Sequence, residues 1–506
     1  MSAELLARLG GPIATGGLAL LILASPRQVR VAGLVVMAAG MAFFIPSLAP
    51  SGEGARLVVA ALVALVLAVF LGILFDRKPW ALGVLALLAA PARIPVPLGG
   101  ETANLLVPLY VVVGGAAVWL CWSLWRDPHR RRELGAVSWP LAGFVAWLGL
   151  SALWTNDPER AAVQLVAFIV PFGLLTIALA RLPWRERALA WLCRLLLAMA
   201  LLFALVGIWQ WTTKNVFWNP KVIADNTFAS FYRVNSLFWD PSIYGRFLVV
   251  AILIALTLLL FGPWRRLDVP LVLVVVVLWV GLLFSFSQSS FAALIAGVVV
   301  AAALAWRRRA AVLVGATAAV LIMCGVPATK SEDAGASLVA ASEQGLNRAT
   351  RGRFDLVKYG LRIAVDHPVA GVGIAGFEKA YRERVDVPRR VKSPASHNTP
   401  VTVAAETGIV GLALFAWFLA AALASAFRRA APGPPSARIA GLAAGLGITA
   451  IFVHSLFYNA FFEDPFAWGF FALAALAARE SGRRSTLSGW ERGAPDPFSG
   501  THVERM

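Results

Sequence analysis

The chain is 506 residues long, 59% hydrophobic and only 14% charged, with a mean hydropathy of +0.75, a balance that excludes a water-soluble globule and makes lipid the solvent for most of its surface. The formal charge is +18, but the basic residues cluster between apolar runs, which is the pattern of cytoplasmic membrane loops and argues against a nucleic-acid-binding face. Cys121, Cys193 and Cys324 lie in or at the ends of apolar stretches without CxxC spacing, so they read as small buried apolar residues, not disulfides or metal ligands.

Apolar runs fall near 11–25, 30–47, 56–75, 80–96, 104–125, 138–154, 160–180, 188–211, 243–262, 268–285, 289–306, 310–327, 399–427, 437–457 and 463–478. They predict an all-α polytopic membrane protein of about 12–15 transmembrane helices, since a span takes ~20 residues. Every backbone donor in lipid needs an internal partner, and no alternating strands suggest a barrel. No cleavable signal peptide is evident, because the first run leads directly into further spans. Five domains of sequence follow: N-terminal helices over 1–137, a transmembrane core over 138–326 with a loop at 212–241, a large helical extracytoplasmic loop over 327–397, C-terminal helices over 398–478, and a disordered cytoplasmic tail over 479–506.

From residue 76 onwards, placing Arg126 to Arg132, Arg181 to Arg187, Arg265 with Arg266, Arg307 to Arg309, and Arg428 with Arg429 in the cytoplasm fixes the topology without contradiction. The opposite loops are then extracytoplasmic. The loop at 212–241 carries Phe217, Trp218, Phe228, Phe231, Tyr232, Phe238 and Trp239 among Lys214, Lys221 and Arg233. Such rings read first as an interfacial aromatic belt and second as surfaces for sugar faces.

The second loop is longer than a connection without function usually is. Within it Arg353 to Asp366 places Phe354, Val357, Leu361 and Ala364 at helical spacing, a face suited to a membrane surface. His367-Pro368 ends that helix, because the residue before a proline leaves the helical region. The run Gly371-Val-Gly373-Ile-Ala-Gly376 predicts a flexible turn before a short helix through Tyr381. No strand precedes it, so the literal GxGxxG is not a dinucleotide fingerprint.

Ser396-His397-Asn398-Thr399-Pro400 marks re-entry into the membrane and opens a helix containing Glu406, Gly408 and Gly411. Capping accounts for Ser396, Asn398 and Pro400. It does not account for His397, a group able to take a proton near neutral pH. Glu406 lies about 100° per residue round the helix to the far side from His397, which suits packing or support. Arg246, His454 and Asp464 read as helix-packing or interfacial polar residues.

HPVAGVGIAGFEKAY followed by SHNTPVTVAAETGIVGLALFAWF resembles the signature of the O-antigen ligase and O-antigen polymerase superfamily, in which G-x-G-x-x-x-F precedes H-N and then E-x-G-x-x-G. Leu150 to Pro158, Arg233 to Pro241 and Gly352 to Asp355 are similar to its other recurrent segments, so the likeness covers about residues 140–478. Where family members often carry Ser-Arg in a turn, this chain has Ser287-Gln288. The resemblance implies a multi-pass inner-membrane glycosyltransferase of a fold related to other lipid-sugar transferases, with its active site on the extracytoplasmic face, no metal and no other cofactor. Its partners are a polyprenyl diphosphate-linked glycan, an acceptor glycan, glycolipid or protein, and the bilayer. In that reading His397 is the base or acceptor-orienting group, Arg233 and Arg353 bind the diphosphate, and Asn398 and Arg246 are further candidate substrate-binding residues. Two rival classes remain: a transporter or flippase of lipid-linked glycans, which predicts internal repeats and broken helices at the midplane, and a non-catalytic scaffold of an export complex, which makes His397 dispensable.

Overall fold

The computed structural model describes residues 2–48, 54–98, 101–126, 132–228, 231–263, 265–305, 353–385, 396–428 and 434–493. The span expected at 310–327 and the stretches 327–352 and 386–395 of the long loop lie outside the described residues. Among the described residues nine helices are long and apolar enough to cross a membrane, and three shorter apolar helices accompany them, so the chain is an all-α polytopic membrane protein.

The first helices are α1 (Ala3–Leu23), α2 (Arg27–Ala42), α3 (Ile45–Leu48), α4 (Gly54–Arg77) and α5 (Trp80–Ala89). α1 lies against α2 because both present small residues: a Cβ on Gly17 would overlap the backbone of Met37, and one on Gly40 the backbone of Ala14. In lipid such close backbone approach replaces the hydrophobic drive that packs helices in water.

The single span expected over 80–96 is not there. α5 stops at Ala89, and the chain makes a two-stranded antiparallel hairpin, β1 (Ile94–Leu98) with β2 (Glu101–Leu105), pairing Ile94 with Leu105. Pro91, Pro95 and Pro97 explain the change, since proline lacks the donor that a helix interior needs and is tolerated in edge strands.

The core follows with α6 (Val107–Arg126), α7 (Ser138–Ser151), α8 (Pro158–Gln164), α9 (Val170–Ala180), α10 (Glu186–Thr213), α11 (Pro220–Phe228), α12 (Pro241–Phe261), α13 (Asp268–Leu283) and α14 (Gln288–Ala305). α8 and α9 form one membrane crossing, joined by a π-helical turn at Leu165–Ile169. Pro171 just beyond cannot donate to the preceding turn, and a widened turn is one of the ways a helix absorbs that defect. The outer unit comprises α15 (Arg353–Asp366) and α16 (Phe377–Arg384), and the chain closes with α17 (Thr399–Phe427), α18 (Pro435–Ser455) and α19 (Pro465–Gly493). α19 runs past Arg479, the first residue of the expected tail, to Gly493, and residues 494–506 lie outside the described residues.

Aromatic rings fill the space between α7, α17 and α19, with Phe144 stacked on Phe418 and Phe462, and Phe418 edge-on to Phe471. The two ends of the bundle differ in charge chemistry. At one end Arg30, Glu133 and Arg181 form a buried triad: Arg30 reaches both carboxylate oxygens of Glu133 at 2.9 and 2.7 Å, and Arg181 adds a third contact at 2.7 Å. Arg126 pairs with Asp76 and Arg132 donates to the Leu23 carbonyl at the same end. The outer unit and His397 stand at the opposite end.

Candidate functional site

Three of the resembling segments meet in one hydrogen-bonded clasp. α17 is broken at Gly408, whose φ of 65° and ψ of −167° leave the helical region. The turn from Pro368 to Gly373 lies against that break and takes up its backbone groups. Val372 N–H donates to the Ala405 carbonyl at 3.0 Å, Gly373 N–H to the Glu406 carbonyl at 2.8 Å, and Ile409 N–H to the Pro368 carbonyl at 2.8 Å. Gly371 and Gly373 take φ of 67° and 89°. A Cβ at either would strike backbone, of Glu406 in the first case and Thr155 in the second, so glycine is required by geometry and by space. The Gly371 to Gly376 run is therefore not the flexible turn the sequence suggests.

The Leu150 to Pro158 segment closes the clasp from the third side. Trp154 Nε1 donates to the Ala370 carbonyl, Thr155 Oγ1 to the Ile374 carbonyl at 2.7 Å, and Ile374 N–H to Ser151 Oγ at 3.2 Å. Glu406 is buried, and its Oε1 accepts the N–H of Phe377, the first residue of α16. These contacts match its reading as support. α15 packs through Gly360 and Ile363 and leaves Leu361 and Val365 exposed. Gly360 allows the close approach to Val401 and Phe377, while Leu361, of the face that helical spacing picks out for a membrane surface, stays exposed.

His397 stands in the turn that leads into α17, in the left-handed region with φ of 55°. A non-glycine residue there costs on the order of 1–3 kcal/mol and persists only where the surroundings fix it. They do so here. Ser396 Oγ, buried, accepts Asn398 N–H at 3.1 Å; Asn398 Oδ1 caps α17 at Val401 N–H at 3.0 Å, and its Nδ2 donates to the Leu456 carbonyl at 3.1 Å. Thr399 Oγ1 donates to Asn459 Oδ1 at 2.9 Å. The imidazole is half-buried. Burial first, then the positive fields of Arg353 and Lys221, hold it down at about 4 against a smaller opposing pull from Asp240. It is consequently a neutral imidazole at physiological pH, the form that accepts a proton.

The other predicted residues divide. Arg353, the exposed first residue of α15, acts on His397. Arg233 is held by Asn226 on both sides of its peptide, and its Nε donates to the Ser285 carbonyl at 3.1 Å, which sets it on the turn containing Ser287-Gln288. Asn398 spends both ends of its amide on capping and on Leu456. Arg246 is engaged by Asp464 at 2.6 Å, with both side chains buried. Lys221 and Asp240 join the surroundings of His397, although neither stood out in the sequence. Lys221 is one cation among others in the aromatic loop at 212–241, and Asp240 is also the residue that caps α12. His454 is buried with its Nε2 3.0 Å from Ser289 Oγ. A cavity of about 390 Å³ shares Lys221 and Asp240 with this site and is walled further by Arg93, Trp239, Tyr458 and Glu463.

Residues 273–416 match the family model described as O-Antigen ligase. The matched segment contains α15, α16, His397, the turn from Pro368 to Gly373 and the break in α17. The match supports the O-antigen ligase and polymerase superfamily and a ligase- or polymerase-like role in surface polysaccharide biosynthesis. No curated protein matches the chain.

Proposed function

We propose that this chain moves a glycan from a polyprenyl diphosphate carrier to an acceptor hydroxyl at the extracytoplasmic face of the bacterial inner membrane, by inversion and without metal. The observation that carries the proposal is a neutral, half-buried imidazole, His397, fixed in a left-handed turn in the field of Arg353 and Lys221. A diphosphate is already a good leaving group, so the site needs cations to gather its charge more than an acid to protonate it. The acceptor oxygen, in contrast, needs a base.

In the step, the acceptor oxygen forms a bond to the anomeric carbon as its proton passes to His397. The bond from that carbon to the diphosphate oxygen breaks, and the lipid diphosphate leaves with the electron pair toward Arg353 and Arg233. Free imidazole held at about 4 is a weak base. Donor binding offsets part of this, because two phosphates beside Arg353 and Lys221 cancel the fields that add to the effect of burial. Some of the base strength thus arrives with the substrate.

The rival transporter reading calls for a broken helix whose freed backbone lines a cavity. α17 is broken, but protein fills the break: Ala405, Glu406 and Ile409 have backbone partners from Pro368 to Gly373. That favours the transferase. The test is transfer from a synthetic undecaprenyl diphosphate glycan by purified protein, for wild type, His397→Ala and Arg353→Ala. Loss of turnover in both folded variants supports the assignment. Full activity in His397→Ala removes the base, and donor binding with no transfer to any acceptor moves the transporter ahead.

A further inference from the structure

Beside His397, the cavity of about 390 Å³ falls in the size range of small-ligand sites, roughly 300–1,000 Å³. Its walls come from four separate parts of the chain: Arg93 just before the hairpin, Val163 and Phe168 from the α8–α9 crossing, Lys221, Trp239 and Asp240 from the loop at 212–241, and Tyr458 and Glu463 from the connection between α18 and α19. Two cations and two carboxylates cancel, so the chamber has no net sign, and Leu105, Val163, Phe168 and Ile243 set apolar wall beside the charges.

Glu463 is the residue the established contacts do not explain. Its backbone carbonyl accepts Arg93 Nη2 at 3.3 Å, but its carboxyl group, half-buried, has no hydrogen-bond or ion-pair partner among the described residues. Burial pushes it up against the opposing pull of Arg93 and Arg246. The Tyr458 hydroxyl likewise has no partner among the described residues, and burial pushes that phenol up too. One oxygen of Asp240 accepts Ser242 N–H at 2.7 Å, which leaves the other uncommitted. All three side chains line the cavity, so a ligand that enters it meets carboxylate and phenol oxygens able to take its polar groups.

Three ligand chemistries are available near such a site. A phosphate would meet two carboxylates, and a lipid tail would meet four charges. A sugar ring brings hydroxyls that both donate and accept, together with an apolar face for the Trp239 indole. We infer that this cavity is a sugar subsite, in which Glu463, Asp240 and Tyr458 take hydroxyls of one ring of the donor or acceptor glycan and Trp239 supplies its flat apolar surface. The inference rests on the transferase reading above and names the ring-binding part of that site. It also gives the N-terminal region, which the O-antigen ligase match does not cover, a part in substrate choice through Arg93.

The test uses full-length protein in lipid nanodiscs, as wild type, Glu463→Gln and Trp239→Ala. Three probes are compared: bare undecaprenyl diphosphate, undecaprenyl diphosphate bearing a disaccharide, and an array of immobilised surface-polysaccharide oligosaccharides without lipid. Equal binding of the bare carrier by all three proteins shows that the variants fold and keep the diphosphate site. A loss of ten-fold or more confined to the disaccharide carrier places the donor ring in the cavity, whereas a loss confined to the array places the acceptor ring there. Wild-type binding of both sugar probes by both variants overturns the subsite. Failure of wild type to bind the bare carrier would instead remove the donor assignment and leave the array to decide the subsite.

Discussion

The N–H of Gly373 donates to the carbonyl of Glu406 at 2.8 Å, joining the segment before α16 to the first half of α17. The side chain of the same Glu406 accepts Phe377 N–H, so one residue of α17 fixes both the glycine turn and the start of α16. The outer unit is thereby held in one register against the helix whose mouth carries His397. Gly373→Ala should uncouple them, since alanine at φ of 89° is strained and its Cβ would strike the Thr155 backbone. The expected result is faster amide exchange in Phe377–Arg384 and at least a ten-fold fall in turnover, with the membrane helices still protected. Amide exchange by mass spectrometry reads both.

Glu406 separates two roles of a carboxyl group. If it acts only as an acceptor for Phe377 N–H, Glu406→Gln keeps that oxygen and should stay within about 1 kcal/mol of wild type. Glu406→Ala leaves the donor buried and unpaired, at a cost of about 1–3 kcal/mol. Thermal unfolding of the two variants side by side checks the difference. A glutamine variant as unstable as the alanine one would show that the charge itself is needed.

The acid side of the pH profile follows from His397. Its folded value lies at about 4, below the ordinary 6.5, because of burial and then Arg353 and Lys221. The neutral base is therefore present throughout the range above about 4, and kcat/KM for free enzyme should fall only as pH drops through that value. Arg353→Gln removes the larger of the two positive fields, so the limb should move upward toward 6.5 while turnover falls. In the donor complex the diphosphate acts in the same direction, and the kcat limb of wild type should lie above its kcat/KM limb. Profiles of the two proteins between pH 3.5 and 8, as ~half-unit steps, decide it; an unmoved limb in Arg353→Gln would show that another group titrates.

Much of this was open to a reader of the sequence, for identifiable reasons. The spans follow from apolar length, α15 from its amphipathic spacing and its stop at His367-Pro368, and the His397 turn from a titratable group where a cap alone would suffice. The hairpin at 94–105 was missed because Ile94 to Leu98 is apolar enough to extend a span, although its two prolines forbid a helix interior. The clasp was missed for a deeper reason. A glycine that looks like a flexible joint locally is held when another backbone lies across it, and that backbone comes from residues 151–156 and 405–409, far along the chain. Lys221 and Asp240 were invisible as a pair with His397 for the same reason: only the fold brings them to it.

Arg353 also offers a test of geometry against charge. A guanidinium presents a planar fork to two phosphate oxygens, and an ammonium presents a point charge. Arg353→Lys should keep the field on His397, and hence the pH limb, yet raise the KM for the polyprenyl diphosphate donor about ten-fold through loss of the paired contacts. Steady-state kinetics with varied donor measures this. An unchanged KM would place the diphosphate elsewhere.

The buried triad at the opposite end predicts how the protein fails in acid. Burial pushes the Glu133 carboxyl up, but Arg30 and Arg181 outweigh that and hold it below the ordinary carboxylate range. A carboxylate with a depressed folded value adds stability above its unfolded value, and that stability is lost as pH falls through the folded one. Both arginines are 2% exposed, so protonating Glu133 strands two buried cations. Glu133→Gln at pH 7 does the same thing permanently and should cost about 3–5 kcal/mol. Thermal unfolding at pH 7 and at pH 3 should then show a large acid destabilisation in wild type that is much reduced in Glu133→Gln. The triple variant Arg30→Met, Glu133→Leu, Arg181→Met removes all three charges together, and it should recover most of the stability that the single variant loses. An equal acid loss in wild type and Glu133→Gln would move the acid-sensitive group elsewhere in the bundle.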